Sequence, residues 1–413
     1  FTKILLSWCQ QTITCRAAIA WKTGSTLAIE EVQVDPPKAR EVRIKMISTG
    51  ICGTDDHAVK GLLSVNFPFI PGHEGAGIVE SIGEGVSSVK PGDKVLTLAI
   101  PQCRECSSCL HPKGNFCEKQ DVLPSSGLML DKTSRFTCKG KKIYHSFRAS
   151  TFTEYTVVPE IAVAKIDAAA PMDKVSIISC EVSTGYGAAV NSAKVTRGST
   201  CVVFGLGGVG SAIVMGCKAS GASRIIGVDI NEEKFPRARA LGVTDCLNPR
   251  NLKKPVQQVV MEMTRVGVDF AFEAIGLSDT MIAAWDSCHR SYGVCLMVGV
   301  ASSNSQLSLN APDIISGRTL KGVCLGDYKT RDCIPQLVTD YLQNKINIDP
   351  LITHQLPFDQ LHKAFELYHA GKTEMMGFSD DIVDMSINPI DLCHQSMKGV
   401  TDLSLVAILR VPP

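Results

Sequence analysis

The sequence predicts an α/β protein in which a β-rich part is joined to a doubly wound parallel sheet. Three observations carry that prediction. Up to about residue 181, short β-branched runs alternate with turn clusters. From residue 182, apolar strand-like runs alternate with helical stretches. The first of those later runs ends in a glycine-rich turn.

The β-rich part is read from Cys15–Trp21, Val42–Ser48, Gly77–Ile82 and Lys94–Leu98, separated by Pro36-Pro37, Pro71-Gly72 and Pro91-Gly92-Asp93. In the second part Thr200–Phe204 is apolar throughout, as a strand buried on both faces must be. A helix over Val209–Ser220 and a second buried run, Arg224–Val228, follow. Lys234–Leu241 reads as helix, Val268–Phe272 as strand, Thr280–Cys288 as helix and Gly293–Val300 as strand. Strand–helix alternation of this kind implies parallel strands with right-handed crossovers. Val338–Gln343 and Phe358–Tyr368 read as closing helices.

Composition narrows the function. The 413 residues carry 42 Lys+Arg against 41 Asp+Glu, a formal net charge of +1, which gives no bulk attraction for nucleic acid. Hydrophobic residues make up 45%, so the chain can bury a full core. No apolar run approaches the roughly 20 residues needed to cross a bilayer. The run Ile4-Leu5-Leu6 is too short for the core of a secretory signal. Seventeen cysteines, an odd number, point to reduced thiols and metal ligands in a cytoplasmic protein.

Three groups of residues carry chemistry. Cys103, Cys106, Cys109 and Cys117 are spaced by two, two and seven residues, a spacing that closes a tetrahedral thiolate shell around Zn²⁺; an iron–sulfur cluster is the other metal option. Gly205-Leu206-Gly207-Gly208-Val209-Gly210 follows a strand and opens a helix, the context of a dinucleotide-binding Rossmann turn. Asp229 ends the next strand, where a carboxylate accepts the adenosine ribose hydroxyls and repels a 2′-phosphate, so NAD is expected rather than NADP. The third group is Cys52, His73 and Cys180, two thiols and an imidazole suited to a catalytic zinc. Their spacing alone does not join them.

At this point the sequence resembles the zinc-dependent medium-chain alcohol dehydrogenases, from about Cys15 to Lys372. GICGTDDH (Gly50–His57), GHEGAG (Gly72–Gly77), the four-cysteine lobe and TSRFTCKGK (Thr133–Lys141) carry the resemblance, with STGYGAAV (Ser183–Val190), GLGGVG, IIGVDIN (Ile225–Asn231) and DPLITH (Asp349–His354). Gly53 directly after Cys52 is similar to the vertebrate class V branch. The resemblance implies a GroES-like catalytic domain over 15–181 and 325–372, an NAD-binding domain over 182–324, and two unassigned ends, 1–14 and 373–413. It implies catalytic zinc on Cys52, His73 and Cys180, with Asp55 and Glu74 orienting those ligands, and structural zinc on the four-cysteine lobe. Two Zn²⁺ per subunit, NAD, an alcohol or aldehyde substrate and a homodimer follow from it; a nucleic-acid or membrane partner does not.

The implied reaction moves hydride from an alcohol to NAD⁺, with zinc polarising the alcohol oxygen. The proton leaves through Thr54, a cofactor ribose hydroxyl and His57. Lys234 matches a second ribose contact. Thr184 and Val209 match residues beside the nicotinamide, and Val298 and Val300 join the implied cofactor contacts.

The departures are equally specific. Gly53 and Met375 stand where many relatives place arginines on the cofactor pyrophosphate, which predicts weak NAD(H) binding. Ala99 replaces a pocket Phe, predicting a wider slot for bulky alcohols. Glu181-Val182 replaces a Gly-Phe pair. Asp121 stands where relatives that oxidise the formaldehyde–glutathione adduct have Arg, which ranks that substrate second. A zinc- and NAD-binding chain with impaired catalysis is the other alternative. The tail Thr373–Pro413, with Cys393 and His394, is expected to be atypical.

Overall fold

The structure, a computed structural model, describes residues 11–119 and 126–371 and the backbone of Met375–Ser379. Asp121, Cys393 and His394 lie outside the described residues. By packing, the chain divides into two units: one runs through Cys180, resumes over Lys329–His369 and takes in Met375–Ser379, and the other is Glu181–Tyr328 with Ala370 and Gly371.

The first unit holds two sheets. One runs, in order, Ile13–Ile19, Ala28–Val34, Phe136–Cys138, Lys141–His145 and Phe69–Ile70. The other runs Val163–Lys165, Lys94–Thr97, Gly75–Ile82, Glu41–Ile51, Met375–Ser379 and Ile352–Leu356, with Tyr155–Pro159 also paired to Glu41–Ile51. The long strand Glu41–Ile51 organises this sheet. Val42, Ile44 and Met46 enter a core with Val79, Val95, Val158 and Val163. Arg43 on the same strand is tolerated inside because Glu80 takes its guanidinium at 2.6 and 3.1 Å and the Gln11 carbonyl at 2.7 Å. Met375–Ser379, placed in the atypical tail from sequence, is a strand antiparallel to Ser48–Ile51. Backbone pairing decides this, and side-chain patterning does not reveal it.

In the second unit six parallel strands form one sheet. They are Thr200–Phe204, Arg224–Val228, Asp245–Leu247, Phe270–Glu273, Val294–Met297 and Thr319–Gly322. Counted along the chain, their order across the sheet is 3-2-1-4-5-6, the doubly wound order with its switch between the first and fourth strands. Val202, Phe204, Ile226, Val228 and Ala271 fill one core with Trp285 and Cys288. Helices Gly208–Ala219, Phe235–Leu241, Val256–Thr264 and Ser278–Ser287 lie between the strands in sequence. Together the two units bear out the α/β class read from the sequence.

Candidate active site

Three separate elements of the first unit deliver one cluster. Cys52 follows the strand Glu41–Ile51 and stands at the N-cap position of the helix Gly53–Val59, its side chain making no capping bond. His73 and Glu74 come from the turn that enters the strand Gly75–Ile82. Cys180 follows the 3₁₀ helix Val175–Ser179. The ligand atoms of Cys52, His73, Glu74 and Cys180 all lie within 4.8 Å of one another.

The turn before His73 needs Gly72. Its φ is +92°, and a Cβ there would stand 2.4 Å from the Thr151 hydroxyl. Asp55 Oδ1 accepts from the Gly72 N–H at 3.0 Å and pairs with His73 Nδ1 at 2.9 Å. That leaves Nε2 as the imidazole's ligand atom. Thr97 fixes the next residues: its hydroxyl donates to the His73 carbonyl at 3.0 Å and accepts from the Gly75 N–H at 2.9 Å. The Phe147 ring packs against His73, 5.2 Å between centroids.

The charges support one another. Cys52 is held well below the ordinary thiol value, first by its hydrogen bond with Cys180 and, against burial, by the His73 charge. Burial opposes charge on His73, but Asp55 and Cys52 outweigh it and hold that imidazole well above its ordinary value. Burial pushes Asp55 up, with His73 opposing. Glu74 is pushed well up by burial and by the Cys52 charge. Gly50 makes room for it, since a Cβ there would stand 2.1 Å from Glu74 Oε2. Neither Glu74 oxygen has a nitrogen or oxygen donor.

Thr54 and His57 are three residues apart on Gly53–Val59, the spacing that shares one helix face. Thr54 Oγ1 lies 3.6 Å from Cys52 Sγ, and His57 Nδ1 is buried without a hydrogen-bond partner. Ala99 is buried beyond the strand Lys94–Thr97.

The ligand atoms of Cys103, Cys106, Cys109 and Cys117 also lie within 4.8 Å of one another. Cys103 and Cys109 sulfurs are 3.9 Å apart, and two sulfurs on a tetrahedral Zn²⁺ stand about 3.8 Å apart. The N–H groups of Cys106 and Cys109 each donate at 3.3 Å to the thiol three residues earlier.

In the second unit the glycine turn lies at the carboxyl end of Thr200–Phe204. Gly205 has φ +89°. A Cβ on Gly207 would meet nothing within 4 Å, so that face is open. A Cβ on Gly210 would stand 1.8 Å from the Gly205 carbonyl oxygen, so only glycine lets the helix start this close to the turn. Asp229 Oδ2 accepts from the Leu206 N–H and the Lys234 ammonium, each at 2.9 Å. Gly208 and Val209 open the helix Gly208–Ala219. Thr184 lies on the helix Glu181–Gly187, whose Gly185 touches that helix: a Cβ there would stand 2.2 Å from the Val209 carbonyl oxygen. Glu181 opens the same helix and is buried. Val298 N–H donates at 2.9 Å to the Glu273 carbonyl, and Val300 lies against Gly276.

The profile of the alcohol dehydrogenase GroES-like domain matches residues 38–168, and that of the zinc-binding dehydrogenases matches 208–343. An alcohol dehydrogenase zinc-binding domain protein from Burkholderia ambifaria is 30% identical, with 88% of this chain and 98% of that chain covered and a TM-score of 0.81. Benzyl alcohol dehydrogenase from Acinetobacter calcoaceticus is 28% identical over 88% and 98%, with a TM-score of 0.79. The 2R,3R-butanediol dehydrogenase from Bacillus subtilis, at 24% identity over 87% and 98% and a TM-score of 0.67, shares the fold. The chain belongs to the zinc-dependent medium-chain alcohol dehydrogenase family.

For a member of this family, the donor sets fit Zn²⁺. Two thiols and one oriented imidazole, with the Glu74 carboxyl beside them, suit a borderline-soft ion, and four thiols close the shell of the other site. The Glu74 carboxyl, raised by burial and by the Cys52 charge, is a group that a cation beside it would favour in its ionised form.

Sequence reasoning did not single out Phe147 or Glu273. Glu273 ends the fourth strand of the parallel sheet, at the switch, and is buried; its Oε1 accepts from Ile275 N–H at 3.0 Å, Gly276 N–H at 2.9 Å and the Thr280 hydroxyl at 2.7 Å. An acid closing the apolar run Val268–Phe272 was the available signal. Phe147 offered none.

Proposed function

We propose that the chain is an NAD-dependent alcohol dehydrogenase that oxidises primary or secondary alcohols to aldehydes or ketones, and runs in reverse. The observation that carries the reading is the cluster of Cys52, His73 and Cys180, with His73 oriented by Asp55. Cys52, His73 and Cys180 would hold the catalytic zinc, and Cys103, Cys106, Cys109 and Cys117 the structural one. Zinc at the first site supplies Lewis acidity toward the alcohol oxygen, and NAD⁺ takes up the hydride.

The chain's own residues do the rest. Thr54 takes the substrate hydroxyl proton as its own proton moves on through a cofactor ribose hydroxyl to His57, one helical turn along. Its buried Nδ1, without a partner, is suited to that relay. Asp55 fixes the tautomer of His73. Gly205, Gly207, Gly208, Val209 and Gly210 cradle the pyrophosphate at a helix N-terminus. Asp229 and Lys234 take the adenosine ribose; Thr184, Val298 and Val300 line the nicotinamide end.

Ala99 in place of a larger side chain favours bulky or aromatic alcohols. Gly53 after Cys52 supports a place beside the vertebrate class V enzymes. The family resemblance supports a homodimer, and the cysteine usage a cytoplasmic location. No helix among the described residues is long and apolar enough to cross a membrane.

A rate series with NAD⁺ from ethanol to a benzylic alcohol tests the reading, on the full chain and on a chain ending at Ser379. The expected order rises toward the benzylic alcohol. A clear ethanol preference defeats the wide slot, and no turnover with any alcohol defeats the enzymatic reading.

A further inference from the structure

The four-cysteine lobe is held against the first turn of the helix Thr330–Leu342, and the hold centres on one ammonium. Lys329, at the N-cap position of that helix, directs Nζ among the main-chain carbonyls of Ser108 at 3.1 Å, Cys109 at 2.7 Å, His111 at 2.8 Å and Gly114. Two residues on each side reinforce it. Asp332 accepts from Gln102 Nε2 and Arg104 Nη2, each at 2.6 Å, and the Arg331 N–H donates to Gln102 Oε1 at 2.9 Å. Gln102 and Arg104 flank Cys103, and the four carbonyls span the turn from Cys109 toward Cys117. Residues on both sides of the thiol cage are thus fixed from the same helix turn.

Four carbonyl oxygens turned toward one point repel one another unless a cation sits there. An ammonium answers this with compact charge and three donors. The turn has little structure of its own, only the four-residue helix Ser107–Leu110 and the bends around it. Four thiolates on a dication also leave roughly two negative charges, which a cation bound at the Cys109 carbonyl offsets.

We propose that Lys329 is the positioning residue of the four-cysteine metal site: its ammonium gathers the 108–114 carbonyls so that the thiols converge, and metal retention depends on it. Metal binding in the lobe and docking of the lobe on the helix Thr330–Leu342 are then one linked event. This rests on the reading of the lobe as a zinc site.

The test uses the full chain in a Cys52→Ala background, which leaves the lobe as the zinc site. Zinc release to a chromophoric chelator is followed for this parent, for added Lys329→Met and for added Lys329→Arg. Lys329→Met is expected to release zinc about 10–100-fold faster, as loss of outer ligand support does. Lys329→Arg, whose flat donor fork cannot gather four carbonyls, is expected to stay fast. Thermal melting separates this from general fold damage. Zinc-loaded Lys329→Met should melt below the zinc-loaded parent, while the zinc-free forms melt together. Equal release rates, full rescue by Arg, or the same melting loss with and without zinc overturns the proposal. A parent that holds no zinc overturns the zinc reading of the lobe, and this inference with it.

Discussion

Asp55 Oδ1 does two jobs at once, accepting from the Gly72 N–H and pairing with His73 Nδ1. The imidazole is therefore aimed by the same atom that fixes the turn carrying it. Asp55→Asn is expected to weaken zinc at Cys52, His73 and Cys180 by about 10–100-fold, and to leave the four-cysteine site untouched. Zinc release should then become biphasic; a single phase with both ions equally loosened contradicts this. At Gly53 the structure adds a constraint that the sequence hid. A Cβ there would stand 2.7 Å from the Tyr368 hydroxyl, so the arginine of other relatives has a tyrosine in its way. Gly53→Arg alone is expected to tighten NADH little, and Gly53→Arg with Tyr368→Ala to tighten it clearly. NADH dissociation constants that fall equally in both variants would place Tyr368 outside the effect.

At the scale of elements, the glycine turn and its helix are the most demanding junction. Gly210→Ala puts a Cβ against the Gly205 carbonyl, and the helix must retreat. Overpacking of this kind costs about 1–3 kcal/mol, and a raised NADH dissociation constant in a folded chain is the expected result. An unchanged constant would mean that the turn does not bind the cofactor. This junction was legible in the sequence because Thr200–Phe204 and Arg224–Val228 are each an unbroken apolar run after their first residue; the strands occupy those same residues. Elements with a mixed surface were not. Ala28–Val34, which exposes Glu31 and Gln33, was not picked out as a strand. The helix Thr330–Leu342 contains Pro335, which hid its first half and with it Lys329. At the site, Cys180 stood outside the recognisable motifs, whereas Cys52 and His73 lay in readable ones, GICGTDDH and GHEGAG. The meeting point of the three was not legible, because it depends on three turns brought together by the pairing of Glu41–Ile51 with Gly75–Ile82 and by the packing of Val175–Ser179 on them.

Over the whole molecule, a few buried charges tie fold stability to conditions. Arg135 donates to both oxygens of Glu41, at 2.8 and 2.6 Å, and both side chains are buried. Arg135→Met leaves that buried carboxylate with the Lys38 N–H at 2.9 Å and no cation, and is expected to cost about 3–5 kcal/mol in a denaturant titration; a loss under about 1 kcal/mol would show that the pair contributes no more than a surface ion pair. His145 is held neutral: burial first, then the charges of Arg135 and Arg148, lower it from 6.5 to about 3. The unfolded chain therefore binds one more proton between those values, and stability falls as pH drops from 6.5 toward 3. His145→Gln is expected to flatten that slope, and an unaltered slope would assign it to other groups. These ties concern the scaffold. The central claim concerns the ion that Cys52, His73 and Cys180 share and the reaction beside it. Zinc content and alcohol-dependent NADH formation, measured on one preparation of the full chain and on its Cys180→Ala variant, test it most directly. Two zinc ions with turnover in the parent, and one zinc ion without turnover in the variant, is the predicted result. Two zinc ions and no alcohol-dependent NADH in the parent, or undiminished turnover in the variant, would contradict it.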